Sequence, residues 1–309
     1  MKNVLFSIII PCYNVEKYIE NTIFSVLNQS FTNFEIIAIN DGSKDKTGEI
    51  LENLSKQYNN IRVYHQKNSG VSSTRNKGLS LSKGKYILFL DGDDFIENTL
   101  LLRAKEKLEN NIQMYSFGYK VIKKNKEKKY LNDTLNRDIF TCNTFLKKFL
   151  TYEVSQSICS FIIEKKYLNN LQFDSSLRIG EDLDFQLNIL INNNLNIYYD
   201  SYPYFHYLQR KTSSIKKKII LSDFNSIIKL NEYKNYFSIN NLEKEFSYYI
   251  ERRIAHFIKL IILNGVLKKD LHSLKQIIKK EKDSLEHNKK NLKEFFLFKI
   301  VFVIFYLLK

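Results

Sequence analysis

The chain has 309 residues, of which 44% are hydrophobic and 26% charged, a composition typical of a soluble globular protein with one large or two modest domains. Its three cysteines are odd in number and lack metal-ligand spacing, which argues against a disulfide framework or a zinc site and favours reduced cytosolic thiols. The formal charge is +15, but residues 216–309 hold 20 Lys and Arg against 10 Asp and Glu, so the basic character belongs mainly to the C-terminal third.

The N-terminal segment MKNVLFSIIIPCYN could imitate a secretion signal, because a lysine precedes an apolar run. The run is short, however, ends at Pro11 and lacks a small-residue cleavage site. We therefore predict that it forms the first core strand and that the protein is cytoplasmic.

The first hundred residues alternate between buried-strand and amphipathic-helix patterns. Strands are predicted where β-branched and aromatic runs are bounded by turn residues, at 4–10, 34–40, 61–65 and 86–90. Helices are predicted between them at 15–29, with Asn14 as N-cap, at 47–57 and at 72–82. This alternation indicates βαβ units and an α/β fold with a mostly parallel sheet flanked by helices.

The pattern is less regular after Glu97. We predict a helix at 97–110, a strand at 114–121 and an exposed lysine-rich hairpin or loop near residues 120–130. The segment SICSFIIEKKYL predicts a strand that enters a helix, GEDLDFQLNIL predicts a helix with acidic residues in its first turn, and LNIYYDSYPYFHY predicts a strand and turn. After about Ile215 the sequence predicts helices alone.

The C-terminal region, residues 216–309, combines apolar helix faces with lysines and ends near the segment FFLFKIVFVIFYLL. These 14 residues, interrupted by Lys299, are fewer than the roughly 20 that a spanning helix requires. An amphipathic helix lying on an anionic membrane surface fits better, and a helical subdomain packed on the core or on a second copy of the chain is the alternative. The region carries no recognisable nucleic-acid-binding motif.

Polar residues follow three of the predicted parallel strands, in the segments PCYN, NDGS and DGDD. Because ligands of such sheets bind beyond the carboxyl ends of the strands, these segments should open onto one crevice. In DGDD, Asp91 and Asp93 can converge on one divalent cation, or on a cation and a ribose. The alternative is a turn in which Asp94 caps the next helix. A calcium loop is disfavoured because Gly92 is misplaced for it.

Further motifs are compatible with either a site or ordinary structure. Asp41 in NDGS could accept hydrogen bonds from a pyrimidine or ribose, or belong to a β-turn, and Arg75 in SSTRNKGL could be a surface residue. Glu181 and Asp182 are adjacent at a helix start and should point in different directions, one organising the acceptor and one taking a proton. Favourable placement of acids at a helix N-terminus is the alternative. The segment HYLQRKTSSI has the cations and hydroxyls that bind a diphosphate, but it could also be a basic loop.

The order of these blocks resembles that of the family 2 glycosyltransferases of the GT-A fold. The resemblance is carried by SIIIPCYNVEKYIENTIFSVLNQSFTNFEIIAINDGSKDKT, NSGVSSTRNKGLSLSKGKYILFLDGDD and GEDLDF, densely over residues 4–100 and sparsely from there to Ile215. It implies a GT-A catalytic domain at 1–215, with a nucleotide-sugar-binding half at 1–100 and an acceptor-side half at 101–215. The basic amphipathic helical region at 216–309 would follow.

The resemblance also implies residue roles. Asp182 would be the catalytic base, with Glu181 able to substitute, and Asp93 would be the main ligand of Mn²⁺ or Mg²⁺, with Asp91 facing the ribose or the metal. Asp41 and the turn at residues 11–13 would hold the uracil, Arg75 would contact the nucleotide, and Arg210 and Lys211 would bind the diphosphate. The full set of donor-site residues is Pro11, Tyr13, Asn14, Asp41, Arg75, Asp91, Gly92, Arg210, Lys211 and Ser214. The run from Gln209 to Ser214 departs from the family's Arg-x-His/Arg-x-x-Ser pattern by a one-residue shift of the arginine, with lysine in the histidine position.

The implied activity is inverting, metal-dependent transfer of a hexose or N-acetylhexosamine, with a galactose- or glucose-type UDP-sugar favoured as donor. The acceptor would be a saccharide, lipid-linked in the synthesis of capsule, O-antigen, lipooligosaccharide or a related glycan. The C-terminal helices would then place the protein on the inner face of the cell membrane. A catalytically silent nucleotide-sugar-binding scaffold and a sugar nucleotidyltransferase are the alternatives. The intact Asp91, Asp93 and Asp182 disfavour the first, and PCYNVEKYI lacks the Gly-rich nucleotide loop expected of the second.

Overall fold

The computed structural model of the protein describes residues 4–108, 111–123, 126–131, 133–135, 138–209 and 225–239, and the single positions 246 and 250. The predicted diphosphate segment around Arg210 and most of the C-terminal region, including its final apolar run, lie outside these residues. Within the described ranges, no helix has the length and apolar character needed to cross a membrane.

The first hundred residues form βαβ units, as the alternating pattern predicts. The elements follow in the order β1 (Phe6–Cys12), α1 (Ile19–Leu27), β2 (Phe34–Asn40), α2 (Thr47–Gln57), β3 (Ile61–His65), α3 (Val71–Leu81) and β4 (Tyr86–Phe89). All four strands run parallel to one another. The residues of β1, β2 and β4 are almost all buried, which is the environment that their β-branched and aromatic side chains favour.

The rest of the described chain extends the same sheet with further strands and helices. These elements are β5 (Phe95–Ile96), α4 (Leu100–Leu108), β6 (Met114–Lys123), β7 (Lys126–Tyr130), β8 (Asp138–Thr141), α5 (Cys142–Leu150), β9 (Phe161–Glu164), α6 (Glu181–Asn192), β10 (Asn196–Leu208) and α7 (Asn225–Ile239). The predicted lysine-rich hairpin is the antiparallel pair of β6 and β7. The acidic helix start predicted in GEDLDFQLNIL is the first turn of α6.

The sheet has the order β3-β2-β1-β4-β9-β6-β10-β5, with β7 paired to β6 and β8 paired to β10. Strand β9 runs antiparallel to both β4 and β6, and β10 runs parallel to β6. Strands β6 and β10 therefore have the same direction as β1 to β4. The carboxyl ends of the strands from both halves lie along one edge of the sheet, which is the edge where a ligand is expected.

Several predicted boundaries differ from the structure because of contacts made elsewhere in the chain. Strand β1 extends to Cys12 instead of ending at residue 10, because its last residues continue the parallel ladder with β2. Helix α4 begins at Leu100 instead of residue 97, because Phe95–Ile96 pairs with β10. The helix predicted after β9 is only a short 3-10 turn, Lys165–Leu168.

Asn14 does not cap helix α1, so that part of the sequence prediction is wrong. The helix begins only at Ile19, and the backbone N–H of Val15 donates instead to Thr47 Oγ1 (2.9 Å) at the start of α2. Asn14 adopts a positive φ of 52°, a conformation that asparagine tolerates better than most residues. Its side chain accepts a hydrogen bond from the loop after β2, and the N-cap position of α1, Tyr18, has no side-chain cap hydrogen bond.

Helix α3 packs directly against the sheet at Gly78. A Cβ atom at this position would lie 2.2 Å from Ile9 Cγ2 and 3.4 Å from Ile39 Cδ1, so a larger residue would force the helix away. Arg75 lies one turn earlier in the same helix. The close approach of α3 therefore helps to bring Arg75 to the edge of the sheet.

The substitution Gly78→Ala is expected to destabilise the protein by about 1–3 kcal/mol, because the added methyl group overpacks against Ile9. At an unconstrained helix position the same substitution would stabilise by about 1 kcal/mol, so the sign of the change is informative. Urea unfolding followed by circular dichroism measures it, with Ser80→Ala on the exposed side of α3 as control. A Gly78→Ala variant as stable as the wild type would contradict close packing of α3 on β1.

Candidate active site

The segments that follow β1, β2 and β4 meet at the carboxyl edge of the sheet, as their positions predict. The Asp41 N–H donates to the Cys12 carbonyl oxygen (2.8 Å), and the Leu90 N–H donates to the Ile9 carbonyl oxygen (3.0 Å). Because β1 lies between β2 and β4, the NDGS and DGDD segments flank the end of β1. The three polar segments therefore share one edge.

A buried arginine connects the acidic residues of the two halves. The guanidinium of Arg75, which is 2% exposed, donates from Nη1 to Asp182 Oδ1 (2.5 Å) and from Nη2 to Asp91 Oδ1 (2.9 Å). Glu181 Oε1 lies 3.9 Å from the same Nη1. Burial acts against the charge of Arg75, but Asp182 and Asp91 raise its pKa, so it remains a cation. Arg75 is thus a buried residue that links Asp91 to Asp182, and the alternative interpretation of a surface arginine is wrong.

The ring of Phe173 packs against the guanidinium of Arg75. The guanidinium carbon lies 5.3 Å from the ring centroid, within the range of a cation–π contact. Phe173 stacks on Phe185 of α6 at 3.8 Å, and its main chain exchanges two hydrogen bonds with the side chain of Asn76 (2.9 and 2.8 Å). Sequence reasoning missed Phe173, because no local pattern marks an aromatic residue that lies beneath a cation on a distant helix.

Glu181 and Asp182 open α6 as predicted, but both approach the same guanidinium instead of pointing in different directions. Burial and the charge of Asp182 raise the pKa of Glu181 to about 8. Partial burial also raises the pKa of Asp182, against the opposing effect of Arg75, while 40% of its side chain stays exposed. Glu181 therefore favours its protonated form at neutral pH, whereas Asp182 has a direct ion pair with Arg75 that opposes the effect of burial on its pKa.

Asp41 is buried and organises the loop between β3 and α3. Its Oδ1 accepts from the Ser69 N–H (2.8 Å) and from Gln66 Nε2 (2.8 Å), and its Oδ2 accepts from the Gly70 N–H (3.0 Å). These bonds reach across to the loop before Arg75, so Asp41 does more than form a local β-turn. Its contact with a uracil stays a prediction.

The turn after β1 is joined to the loop after β2. The Asn14 N–H donates to Ser43 Oγ (3.0 Å), and Asn14 Oδ1 accepts from the Lys44 N–H (2.8 Å). Pro11 itself lies within β1, and Tyr13 follows it with 46% of its surface exposed. An exposed aromatic ring on a turn that is held by hydrogen bonds is well placed to stack on a ligand.

The acidic turn after β4 packs against the end of β1. A Cβ atom on Gly92 would lie 3.1 Å from the Pro11 carbonyl oxygen, so glycine allows this approach. Asp91 and Asp93 are partly exposed, whereas Asp94 is buried and its Oδ1 accepts from the backbone N–H of the last residue of β10 (2.8 Å). Asp94 therefore fastens β10 to the acidic turn and does not cap α4.

The cluster of potential metal ligands among the described residues contains Asp91 and Asp94, and not the predicted main ligand Asp93. The potential ligand atoms of Asp91, Asp94 and Cys159 lie within 4.8 Å of one another. Burial and the charge of Asp91 raise the pKa of the Cys159 thiol well above its ordinary value, which makes it a poor ligand. Mg²⁺ and Mn²⁺ prefer carboxylate oxygens, so the partly exposed Asp91 and Asp93 match their chemistry and Cys159 does not.

The predicted diphosphate contacts Arg210, Lys211 and Ser214 lie outside the described residues. The chain immediately before them is held in the site region, because the Gln209 N–H donates to the Ile122 carbonyl oxygen (2.9 Å). The roles of the three residues stay predictions.

Comparison with known proteins yields a family match and several relatives. Residues 7–169, more than half of the chain, match the model of glycosyl transferase family 2. An uncharacterized glycosyltransferase of Bacillus subtilis, EpsJ, is 35% identical over 190 residues, which are 59% of this chain and 55% of EpsJ. The minor teichoic acid biosynthesis protein GgaB of the same organism is 30% identical over 271 residues, 84% of this chain and 29% of GgaB. The aligned part thus spans only 29% to 55% of the length of these two relatives.

Solved structures show the fold. The crystal structure of S. aureus TarS 1–349 in complex with UDP-GlcNAc has a TM-score of 0.67 and 22% sequence identity, and the match covers 89% of this chain and 79% of that chain. A structure of the same TarS fragment in complex with UDP has a TM-score of 0.62 at 22% identity, over 82% of this chain and 70% of that chain. These similarities confirm the predicted GT-A fold.

Replacing Glu181 with Gln should change how stability depends on pH. Because the pKa of Glu181 is raised to about 8 in the folded protein, its contribution to stability is present below its unfolded pKa and is lost as pH rises through 8. The Tm of Glu181→Gln relative to wild type should therefore increase by about 2–6 °C between pH 5 and pH 9.

Differential scanning fluorimetry across this pH range measures the difference, and Glu49→Gln, at an exposed position in α2, provides the matched control. A Tm difference that stays constant with pH for Glu181→Gln would show that the carboxyl group is already ionised in the folded protein at pH 5.

Proposed function

The chain belongs to glycosyl transferase family 2, and we propose from this premise that it is an inverting, metal-dependent glycosyltransferase. It would transfer a hexose or N-acetylhexosamine from a UDP-sugar to a saccharide acceptor in surface glycan synthesis. The observation that carries the proposal is the Arg75 contact to Asp91 on one side and Asp182 on the other. This contact brings a donor-side carboxylate and a candidate base to the same edge of the sheet.

Asp182 is the proposed general base. Inversion requires one displacement, in which an acceptor hydroxyl loses its proton and attacks the anomeric carbon opposite the departing diphosphate. The side chain of Asp182 is 40% exposed, so a hydroxyl can reach it, and Arg75 orients it through Nη1. Glu181, mostly buried and with its pKa raised to about 8, is protonated at neutral pH and leaves Asp182 as the proton acceptor of the pair.

Asp91 and Asp93 are the proposed ligands of Mn²⁺ or Mg²⁺, since they offer partly exposed carboxylates at the edge where the donor diphosphate would lie. When bound, such a cation neutralises the charge that develops on the leaving diphosphate. Asp94 holds the end of β10 against the acidic turn, and β10 leads directly into Arg210, Lys211 and Ser214. These residues would supply further positive charge and hydroxyl groups to the diphosphate.

The nucleotide would bind between the turn after β1 and the loop before α3. Tyr13 is exposed and able to stack on the uracil, and Asp41 holds the surrounding backbone, with Pro11, Asn14 and Gly92 shaping the edge. The Nε–H of Arg75 is buried and has no hydrogen-bond acceptor among the described residues. The TarS structures with UDP and UDP-GlcNAc make a UDP-linked N-acetylhexosamine a donor to test alongside UDP-galactose and UDP-glucose.

The acceptor is proposed to be a saccharide, lipid-linked at the inner face of the cell membrane. The similarity to GgaB, a minor teichoic acid biosynthesis protein, supports a role in building a surface polymer. The excess of Lys and Arg after residue 215 supports attraction to an anionic membrane surface, and association of this region with a second copy of the chain is the competing arrangement.

Asp182→Asn should lower turnover by about 10²-fold or more while the affinity for UDP stays unchanged, because the variant loses the proton acceptor but keeps the shape of the side chain. Release of UDP from the best donor measures turnover, and isothermal titration with UDP and Mn²⁺ measures affinity. Asp138→Asn, at an exposed position in β8, is the matched control. An equal loss of turnover and UDP affinity would place Asp182 in the donor site instead of at the acceptor.

Asp93→Ala should abolish the stabilisation that Mn²⁺ confers in the presence of UDP, because the variant removes a ligand from a site with few protein ligands. A thermal-shift titration of Mn²⁺ at fixed UDP measures the effect, with Asp138→Ala as control. Undiminished Mn²⁺-dependent stabilisation of Asp93→Ala, or full wild-type turnover in excess EDTA, would contradict the metal role.

A further inference from the structure

Helix α7, the first described helix after residue 215, packs on the stretch of chain that leads into Glu181 and Asp182. Asn225 Nδ2 donates to the Ser176 carbonyl oxygen (3.3 Å), and Ser226 Oγ donates to the Ile179 carbonyl oxygen. These bonds lie at the start of α7 and reach the residues just before α6. The carbonyl groups that accept them lie three to six residues before Asp182, the candidate base.

Further along α7, a buried hydrogen bond joins Tyr233 to Asp184 of α6. Tyr233 Oη donates to Asp184 Oδ1 (2.6 Å) and lies 3.2 Å from the main-chain oxygen of the same residue. Both side chains are buried, and burial and the charge of Asp184 raise the pKa of Tyr233, so its hydroxyl stays a donor. A hydrogen bond to a buried carboxylate contributes more than one between neutral groups. Lys229 of α7 lines the same small cavity and adds positive charge near Asp184.

The first turn of α6 has acidic residues but no side-chain cap hydrogen bond of its own. Gly180 precedes the helix in a left-handed conformation, with φ of 87°, and has no side chain with which to cap it. Asp182 is held from the donor side by Arg75. Asp184, two residues later in the same turn, is held from the opposite side by α7.

We propose that α7 positions the candidate base, with Tyr233 as the positioning residue that acts on Asp182 through Asp184. The catalytic consequence rests on the proposed function, whereas the structural consequence does not. In this arrangement helix α7 is part of the catalytic machinery in addition to any role of the C-terminal region at a membrane. Loss of the Tyr233 hydroxyl should loosen the first turn of α6 and leave the donor site intact.

The test compares Tyr233→Phe with Tyr236→Phe in the full chain; Tyr236 lies on the same helix, is 40% exposed and packs against Phe237. Hydrogen–deuterium exchange on peptides covering residues 176–190 should be faster by about tenfold or more in Tyr233→Phe and unchanged in Tyr236→Phe. Release of UDP from the best donor should show kcat lower by about tenfold, with the KM for the donor unchanged.

Unchanged exchange across 176–190 in Tyr233→Phe would overturn the proposal, as would a loss of kcat matched by an equal rise in KM for the donor. If the wild-type protein turns over no UDP-sugar, the proposed function fails, and the exchange measurement still decides whether α7 holds the turn. Should Tyr233→Phe fail to fold, Ser226→Ala removes the neighbouring contact to the Ile179 carbonyl and should increase exchange in the same peptides.

Discussion

The burial of one arginine among three acidic side chains is the constraint on which the candidate site depends. A guanidinium that is only 2% exposed is tolerated when ion pairs and hydrogen bonds compensate for lost hydration, and Arg75 obtains these from Asp182 and Asp91. Arg75 in turn neutralises Asp182 and Asp91, and Glu181 lies close to the same guanidinium. Because α3 and the acidic turn belong to one half of the proposed domain and α6 to the other, this mutual neutralisation joins the two halves at the site.

The edge around this cluster is built from side chains that bind the backbone of neighbouring loops. Asp41 holds the loop before α3, Asn14 holds the loop after β2, and Asp94 holds the end of β10. Such bonds fix loop conformations before a ligand arrives, so less conformational entropy is lost on binding. Tyr13, Asp91 and Asp93 remain partly or largely exposed on this framework. The arrangement separates residues that shape the site from residues that can contact a substrate.

The parts of the fold that could be predicted are those in which local pattern and tertiary environment agree. Strand β2 and helix α2 have the bounds expected from their hydrophobic periodicity, and the acidic start of α6 is where GEDLDF places it. The predictions failed where a neighbouring element supplies the partner. The backbone N–H of Val15 donates to Thr47, and Asn14 does not cap α1. The chain before α4 pairs with β10 instead of forming the first turn of the predicted helix. A hydrogen-bond partner that is distant in the sequence leaves no periodic signal.

The sequence by itself determined the βαβ order, the polar segments at the ends of three strands and hence their meeting at one edge, because strand direction follows from the hydrophobic pattern and the rules of connection. Only the tertiary structure decided that Arg75 is buried, that Phe173 lies beneath it and that Glu181 and Asp182 share it. It likewise decided that Tyr233 supports Asp184 from outside the proposed domain. These contacts form between elements that are far apart in the chain. Their strength depends on interatomic distance and burial, and the amino-acid pattern of one segment contains no information about either.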